Sequence, residues 1–252
     1  KNVKTDVAVL GDVKKTLKVI IPLIKKTSHK KWHQEFKDLY EIEYREVIKN
    51  QLQPKKEGLT MGEVMEGINK ETKGDAVIVS DVGQHQMFAW RYAKFNNSRS
   101  TITSGGLGTM GFALPAAIGA KMGAPDREVI AFIGDGGYQM TIQELGTIFQ
   151  TKVPVKIVVL NNSFLGMVRQ WQELFFDKRY ASTEMVNPNF VKIAEGYDIE
   201  AQRVAKREDL QAALKKMVAS KDSYFLEVKI EKEDNVFPMI PTGASVSEVR
   251  LK

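Results

Sequence analysis

Residues 128–136 read EVIAFIGDG and residues 153–162 read VPVKIVVLNN, two apolar runs that each end in polar side chains with oxygen atoms. A short, nearly continuous apolar run is typical of a strand buried on both faces. The intervening Met140 to Thr151 has a helical pattern, so the stretch predicts a βαβ unit with two parallel strands. Because parallel strands end at the same edge of a sheet, we expect Asp135 and Asn162 to lie close together.

The chemistry of these two side chains predicts a metal site that also holds a phosphate. A carboxylate and an amide oxygen are hard ligands, which suit Mg²⁺ or Ca²⁺ better than Zn²⁺. Gly134 and Gly136 flank Asp135 and would let backbone N–H groups approach a phosphate. Either motif alone also fits an ordinary tight turn. The occurrence of both motifs, each behind a predicted strand, favours a metal-diphosphate site.

The rest of the chain from Thr60 onward alternates predicted helices and strands. This alternation predicts an α/β fold with a mainly parallel sheet and helices on both faces. The further predicted strands are Ala76–Ser80, Thr101–Thr103 and Tyr224–Ile230. The predicted helices run from Thr60 to about Lys73, from about Gln84, from Phe112 to Met122, from Leu165 to Phe175, from Asn189 to Glu195 and from Glu208 to Ala219.

The first fifty residues have a different organisation. The predicted elements are a strand Asp6–Leu10, a helix capped by Gly11-Asp12 that runs to about Lys26, and a helix from about His29 to Asn50. Residues 51–58, which include Pro54, have the composition of a linker. We therefore predict a boundary between residues 1–54 and a larger domain, residues 55–252.

The composition is that of a globular protein, with 252 residues of which 43% are apolar. The sequence has no cysteine, which excludes disulfides, thiolate catalysis and thiolate metal sites. The longest apolar runs, such as VIIPLI at residues 19–24, are far shorter than the ~20 residues that cross a bilayer. We expect a cytoplasmic protein with no membrane partner. Because the first residue is lysine, we also expect the chain to be part of a longer polypeptide.

The net charge of +6 raises the question of nucleic-acid binding. Lysines crowd the first forty residues, but Glu35, Asp38 and Glu41 lie among and directly after them. Interleaved charges on helices are typical of a solvated face. We expect no nucleic-acid partner.

Residues 106–111 read GLGTMG and fit the dinucleotide-binding pattern G-x-G-x-x-G. That fingerprint belongs in the first βα turn and requires an acidic residue ~20 positions later. Asp135 follows Gly111 at a tolerable distance, but a dinucleotide site leaves Asn161-Asn162 unexplained. A dinucleotide site is therefore the weaker interpretation.

Several motifs together carry a resemblance to a known family. The pair Gly134-Asp135-Gly136 and Asn161-Asn162 is similar to the thiamine diphosphate motif of thiamine-dependent enzymes. Four further motifs are GQHQM at 83–87, SGGLGTMG at 104–111, GMVRQWQ at 166–172 and VFPM at 236–239. In combination they resemble the catalytic, or large, subunit of acetolactate synthase, also called acetohydroxyacid synthase. The resemblance covers nearly the whole chain and implies the thiamine diphosphate-binding fold.

The resemblance also implies roles for individual residues. The implied cofactor-binding residues are Val82, Gly83, Gln84, His85, Gln86, Gly108, Met110, Gly134, Asp135, Gly136, Gly137, Asn162, Gly166, Met167 and Val168. The implied metal ligands are Asp135, Asn162 and the carbonyl oxygen of Phe164. Met167, Val168 and Trp171 would line the substrate entrance, although their helical spacing alone fits a core stripe equally well.

In this family pyruvate is decarboxylated on thiamine diphosphate and the two-carbon unit is joined to pyruvate or 2-ketobutyrate, the first common step of branched-chain amino-acid biosynthesis. Residues 1–54 would be the tail of a middle domain with its connecting helix, and residues 55–252 the diphosphate domain. The activating glutamate would lie in a pyrimidine domain of a partner subunit, so we expect no catalytic residue in this chain.

The resemblance further implies FAD in the full-length enzyme, a homodimer or larger assembly with the cofactor at the subunit interface, and a regulatory small subunit. Another thiamine diphosphate enzyme that acts on 2-keto acids, such as a pyruvate oxidase or a glyoxylate carboligase, remains the alternative.

Overall fold

A computed structural model describes residues 4–252 of the chain. The chain divides into two compact units, the first ending at Ile42 and the second spanning Glu43–Lys252. All of the predicted site residues belong to the second unit. The domain assignment on either side of residue 54 stays a prediction.

The first unit contains helix α1 (Val13–Ile20), a 3₁₀ turn (Ile21–Leu23) and most of helix α2 (Lys30–Glu43). The side chain of Asp12 caps α1 as predicted, because it accepts a hydrogen bond from the Lys15 N–H at 2.9 Å. The helix ends at Ile20 and not near Lys26, since Pro22 has no N–H with which to continue it.

The predicted strand Asp6–Leu10 is wrong. These residues are exposed and irregular. A strand requires a neighbour to pair with, and no strand among residues 4–252 pairs with this segment.

The second unit opens with a π-helical turn (Tyr44–Ile48) and the short helix α3 (Lys49–Leu52), so the helical region after His29 extends about as far as predicted. Helix α4 (Met61–Thr72) follows. Thr60 and Glu63 form a reciprocal capping box at its start, which explains why the helix begins there.

The sheet has six strands, all parallel, which confirms the predicted α/β class. The strands are β1 (Val77–Ser80), β2 (Thr101–Thr103), β3 (Val129–Gly134), β4 (Lys156–Asn161), β5 (Glu200–Val204) and β6 (Tyr224–Lys229), in the order β2-β1-β3-β4-β6-β5. The sequence did not predict β5. Its residues EAQRV are mostly polar because β5 is an edge strand, which pairs with β6 and with no other strand among residues 4–252.

Seven more helices complete the second unit. They are α5 (Gln84–Tyr92), α6 (Ala113–Gly123), α7 (Asp135–Met140), α8 (Leu145–Thr151), α9 (Gly166–Phe175), α10 (Phe190–Glu195) and α11 (Arg207–Ala219). The predicted single helix from Met140 to Thr151 is corrected: helical structure starts at Asp135 itself and is interrupted by a 3₁₀ turn, Ile142–Glu144, before α8.

Helices cover both faces of the sheet, as predicted. Ile130 and Phe132 of β3 pack in a core with α4, α5 and α11, whereas Val129, Ala131 and Ile133 pack in a second core with α6, α8 and α10. Burial of each large apolar side chain contributes about 1.5–3 kcal/mol. Two cores of this kind explain why β3 and β4 are nearly continuous apolar runs.

The strand order places a crevice at the carboxyl edge of β1 and β3. From β1 the chain proceeds to β2 on one side, and β3 lies on the other side of β1. Ligands of α/β folds bind at such a reversal of strand order. No helix in the described part of the chain is both long and apolar enough to span a bilayer.

Candidate functional site

A cleft of about 430 Å³ lies at this crevice, formed by the loops after β1, β3 and β4. Every residue predicted to bind the cofactor or the metal, or to line the entrance, lies along it. Met61, Met87, Leu160 and Leu165 also line the cleft and were not predicted. The structure thus brings the predicted residues together, while their individual roles stay predictions.

The loop after β1 approaches the loop after β3 closely. The imidazole of His85 lies between Gly83 and Gly134, where an added Cβ atom would lie 3.0 Å and 2.9 Å from the ring. Gly83 also has φ +144°, a conformation that side chains other than glycine rarely adopt. Both glycines are therefore required by the local geometry.

His85 contributes a neutral, unpaired ring nitrogen to the cleft. Burial lowers the pKa of His85 to about 4, so the ring is uncharged at pH 7. Its Nε2 atom is buried and has no hydrogen-bond partner among residues 4–252. A buried nitrogen without a partner is costly unless a ligand pairs with it, and in the tautomer that carries the proton on Nε2 this atom can donate to a phosphate oxygen.

Asp135 is a buried carboxylate held by three donors. Its Oδ1 accepts a hydrogen bond from the Gly136 N–H at 3.1 Å, and its Oδ2 accepts from the Ser163 N–H at 2.9 Å and from Asn187 Nδ2 at 2.6 Å. Burial raises the pKa of Asp135 to about 6, and the bond from Asn187 is the largest influence that opposes the rise.

Asp135 also forms no ion pair within the described part of the chain, and the positive charge of Lys229 is the weakest of the influences that oppose the rise of its pKa. A buried carboxylate without a counterion is unfavourable unless a cation binds it. Asp135 therefore fits a metal-ligand role.

Asn162 lies just beyond β4, next to the end of β3. Its Oδ1 accepts the Phe164 N–H at 3.1 Å and retains a second lone pair. Ser163 has φ +58°, and this left-handed residue turns the chain between Asn162 and Phe164. A carboxylate, an amide oxygen and a main-chain carbonyl form the hard donor set that Mg²⁺ prefers, so these three residues fit the implied metal.

Asp81, which is 0% exposed, was not among the predicted site residues. Its carboxylate accepts N–H groups from Val82 at 2.8 Å, Gly111 at 3.0 Å and Ala113 at 2.9 Å. It also occupies the space beside Gly137, where a Cβ atom would lie 2.6 Å from Asp81 Oδ1. Asp81 thereby joins the loop after β1 to the loop that carries Gly108 and Met110. Its position directly after a strand was an available signal.

The two adjacent asparagines have different hydrogen-bond partners. Asn161 turns away from Asn162: its Nδ2 donates to Glu227 Oε1 at 2.7 Å, and its Oδ1 accepts from Ser163 N–H at 3.1 Å. Glu227 is itself buried and paired with Arg203. No local sequence pattern indicated this partner, because Glu227 is distant in the chain.

Helix α9 contributes Met167, Val168 and Trp171 to the lining of the cleft. Gln170 fixes the helix to the C-terminal segment, since its Oε1 accepts the Val236 N–H at 2.8 Å and its Nε2 donates to the Val236 carbonyl at 3.1 Å. A second apolar cleft, of about 450 Å³, shares Met87, Met167 and Trp171 with the first and is lined by Val236, Pro238 and Met239 of the VFPM motif.

The GLGTMG loop does not support a dinucleotide site. It follows β2, which lies at the edge of the sheet. Only Gly108 and Met110 of the loop line the cleft, and Leu107 is 95% exposed. The first βα turn instead carries GQHQM, which lacks the fingerprint.

Comparison with known proteins gives the family. Residues 81–228 match the family model described as thiamine pyrophosphate enzyme, C-terminal TPP binding domain. The chain is 40% identical over 257 residues to the acetolactate synthase large subunit of Lactococcus lactis subsp. lactis, an alignment that covers 99% of this chain and 43% of that protein.

Two further relatives extend the similarity across kingdoms. The chain is 43% identical over 190 residues to the acetolactate synthase isozyme 2 large subunit of Escherichia coli, covering 75% of this chain and 35% of the relative. It is 45% identical over 190 residues to the chloroplastic acetolactate synthase 1 of Nicotiana tabacum, an alignment that covers 72% of this chain and 28% of that protein. The chain thus spans less than half the length of these curated relatives. On these matches, the chain belongs to the thiamine pyrophosphate enzymes and carries their C-terminal TPP-binding domain.

Proposed function

We propose that this chain is the thiamine diphosphate-binding part of an acetolactate synthase large subunit. The complete protein would decarboxylate pyruvate and condense the two-carbon unit with pyruvate or 2-ketobutyrate. The observation that carries this proposal is the single cleft in which Asp135, Asn162 and Phe164 meet the GQHQM, GLGTMG and GMVRQWQ motifs. The similarity to acetolactate synthases in bacteria, yeast and plants supports it.

In this proposal Asp135, Asn162 and the Phe164 carbonyl hold Mg²⁺, and the metal binds the diphosphate. Backbone N–H groups of the loops around Gly83 and Gly136, which line the cleft, would donate to the phosphate oxygens, and His85 Nε2 would do so in the tautomer that carries its proton there. Bound thiamine diphosphate supplies the electron sink that a 2-keto acid needs to lose its carboxylate as carbon dioxide.

The opposite end of the cofactor would contact Gly108 and Met110. Asp81 holds the backbone of this loop through Gly111, which keeps Met110 directed to the cleft. Met167, Val168 and Trp171 would line the path of the second 2-keto acid. Their apolar surface would limit the access of water to the reacting centre in the complete protein, which favours condensation over protonation of the two-carbon unit.

The remaining parts of the enzyme would come from other segments of the same polypeptide or from other chains. A glutamate of a partner subunit's pyrimidine domain would activate the cofactor, so at least a homodimer is required. FAD would bind the middle domain, and a regulatory small subunit would join the assembly. A cytoplasmic location stays a prediction, since relatives in yeast and plants are named mitochondrial or chloroplastic.

The test is acetolactate formation by the complete protein. Activity with pyruvate should require both Mg²⁺ and thiamine diphosphate, and Asp135→Ala should abolish it together with magnesium-dependent cofactor binding. Asp126→Ala, which alters an exposed carboxylate before β3, is the control and should leave both unchanged. Cofactor binding that survives Asp135→Ala intact would overturn the proposal.

Substrate profiling separates the related enzymes. Acetate formation with oxygen consumption would indicate a pyruvate oxidase, and turnover of glyoxylate would indicate a glyoxylate carboligase. The 252-residue chain by itself should bind thiamine diphosphate weakly and turn over no pyruvate, because the activating glutamate is contributed by another domain. Acetolactate formation by the chain alone would contradict this.

A further inference from the structure

The coil between α9 and α10, residues 176–189, folds back over the metal-ligand loops. Gln172 of α9 fixes the course of this coil, because its Nε2 donates to the Ala181 carbonyl and its Oε1 accepts the Ala181 N–H, both at 3.0 Å. Two hydrogen bonds to one backbone unit set both the position and the direction of the chain. The coil therefore has a defined path from Ala181 onward.

Beyond Ala181 the coil pairs with the segment that contains the proposed Phe164 ligand. The Leu165 N–H donates to the Thr183 carbonyl, and the Met185 N–H donates to the Ser163 carbonyl, both at 2.8 Å. The pairing is antiparallel and centres on Phe164. It holds the backbone around the Phe164 carbonyl, which is the atom that would coordinate the metal.

The same coil covers the loop that carries Asp135. A Cβ atom at Gly136 would lie 2.7 Å from Leu165 Cδ2 and 3.3 Å from Met185 Sδ, so the paired segments pack directly on this glycine. Two residues further along, Asn187 is half-buried and reaches Asp135. Its Nδ2 lies 2.6 Å from Asp135 Oδ2, a short bond of the kind made to a charged acceptor.

We propose that Asn187 is a positioning residue that orients the carboxylate of Asp135 for the metal. This inference rests on the proposed function, in which Asp135 is a metal ligand. A carboxylate on a short side chain can still rotate about its last bond. The donors Asn187 Nδ2 and Ser163 N–H both engage Oδ2, and that double engagement fixes the rotation.

A second contact fixes Asn187 itself. Its Nδ2 also lies 3.2 Å from Asn161 Oδ1, and Asn161 is anchored through Nδ2 to the buried Glu227. Glu227 in turn pairs with Arg203 at 2.7 Å. The carboxylate of Asp135 is thus held by a continuous chain of side chains that reaches the edge strand β5. Supporting contacts of this type hold the ligands of a metal site in the geometry that the metal requires.

The experiment measures metal affinity separately from turnover. Mn²⁺, observed by electron paramagnetic resonance, is titrated into the complete protein at saturating thiamine diphosphate. Removal of a supporting donor typically weakens metal binding about 10- to 100-fold. Asn187→Ala and Asn187→Leu should both show a loss in this range. Agreement between a smaller and a similar-sized replacement excludes a packing effect as the cause.

Asn189→Ala provides the matched control. Asn189 lies on the same coil, where its Oδ1 caps α10 through the Lys192 N–H at 3.2 Å and accepts a longer bond from Arg203 Nη2 at 3.3 Å, but it has no hydrogen bond to Asp135. This variant should keep wild-type Mn²⁺ affinity even where it lowers the melting temperature. If Asn189→Ala weakens Mn²⁺ binding as much as Asn187→Ala does, the effect is only structural and the positioning role is overturned.

Asp135→Ala distinguishes this inference from the proposed function. Loss of Mn²⁺ binding in Asp135→Ala, with both Asn187 variants within twofold of wild type, would overturn the role of Asn187 alone. Wild-type Mn²⁺ affinity in Asp135→Ala would overturn both the metal site and the positioning role. Loss in Asp135→Ala together with the 10- to 100-fold loss in both Asn187 variants is the expected result.

Discussion

Asp135 combines a buried carboxylate, three hydrogen-bond donors and a raised pKa of about 6. Burial is the main cause of the raised value, and the donors offset only part of it. Such a group is unfavourable in its ionised form when no cation is bound. Ionisation of Asp135 therefore carries a cost that a bound cation would offset.

Because ionisation of the buried Asp135 is unfavourable, the stability of the metal-free protein should depend on pH. The folded state binds the Asp135 proton more tightly than the unfolded state does. The stabilising contribution of this group to the free energy of unfolding is therefore lost as the pH rises from about 4 through 6. Relative to Asp135→Asn, the free energy of unfolding of the metal-free wild type should fall by about 3 kcal/mol between pH 3.5 and 7. Denaturant titrations in a chelator at both pH values measure it, and a pH-independent difference would contradict the prediction.

Substitution of Asp81 should affect the loop that carries Gly108 and Met110. Asp81→Asn replaces an oxygen acceptor by a donor that faces the N–H of Gly111 or Ala113. The free energy of unfolding should fall by about 2–3 kcal/mol, because buried N–H groups lose a charged acceptor. The affinity for thiamine diphosphate should fall as well, since the loop with Gly108 and Met110 loses its anchor.

Denaturant titration and cofactor titration of the complete protein measure the two effects of Asp81→Asn. The exposed Asp126 supplies a matched carboxylate-to-amide control, Asp126→Asn, which should change neither quantity. A folded Asp81→Asn variant with wild-type cofactor affinity would show that Asp81 supports the core and not the site.

At the scale of elements, the position of α9 depends on its contact with residues 234–239, which follow β6. Gln170 is buried and makes two hydrogen bonds to Val236, and Arg169 adds a bond from Nη2 to Asn235 Oδ1 at 2.6 Å. These contacts set the position of the helix that carries Met167 and Trp171. The shape of the cleft along α9 therefore depends on residues that follow β6.

Gln170→Ala should destabilise both α9 and the segment around Val236. It leaves the N–H and carbonyl of Val236 without their partner, at a cost of about 1–3 kcal/mol. Amide hydrogen exchange of residues 234–239 should accelerate, and exchange in α9 should follow. Gln143→Ala, at an exposed glutamine with no side-chain hydrogen bond among the described residues, should leave exchange unchanged. Protection of residues 234–239 that survives Gln170→Ala would contradict the coupling.

At the scale of the whole molecule, the predicted ligands should stabilise the fold. A ligand that binds only the folded state at 100 times its dissociation constant adds about 2.7 kcal/mol. Thiamine diphosphate with Mg²⁺ should raise the melting temperature of the complete protein. Thiamine without the diphosphate, or thiamine diphosphate with a chelator, should give little or no shift, because in the proposed site the metal would hold the diphosphate. An equal shift with unphosphorylated thiamine would contradict this site.

Local sequence determined the elements whose signals lie within a few residues. The apolar runs of β3 and β4 predicted buried parallel strands, and Thr60 with Glu63 marks the start of α4. The same logic failed for Asp6–Leu10, which resembles a strand but has no neighbour to pair with. It also missed β5, because an edge strand does not need apolar side chains on both faces.

The motifs of the chain determined which residues line the cleft, since each follows a strand that ends at the same edge of the sheet. Only the tertiary structure decided how those residues are held. Asp81 binds a loop thirty residues away, Asn187 reaches Asp135, and Asn161 turns to Glu227. These contacts join residues that are distant in the chain, and no local pattern specifies them. They exist because parallel strands bring several loops to one edge, where buried polar groups must find partners among whatever segments meet there.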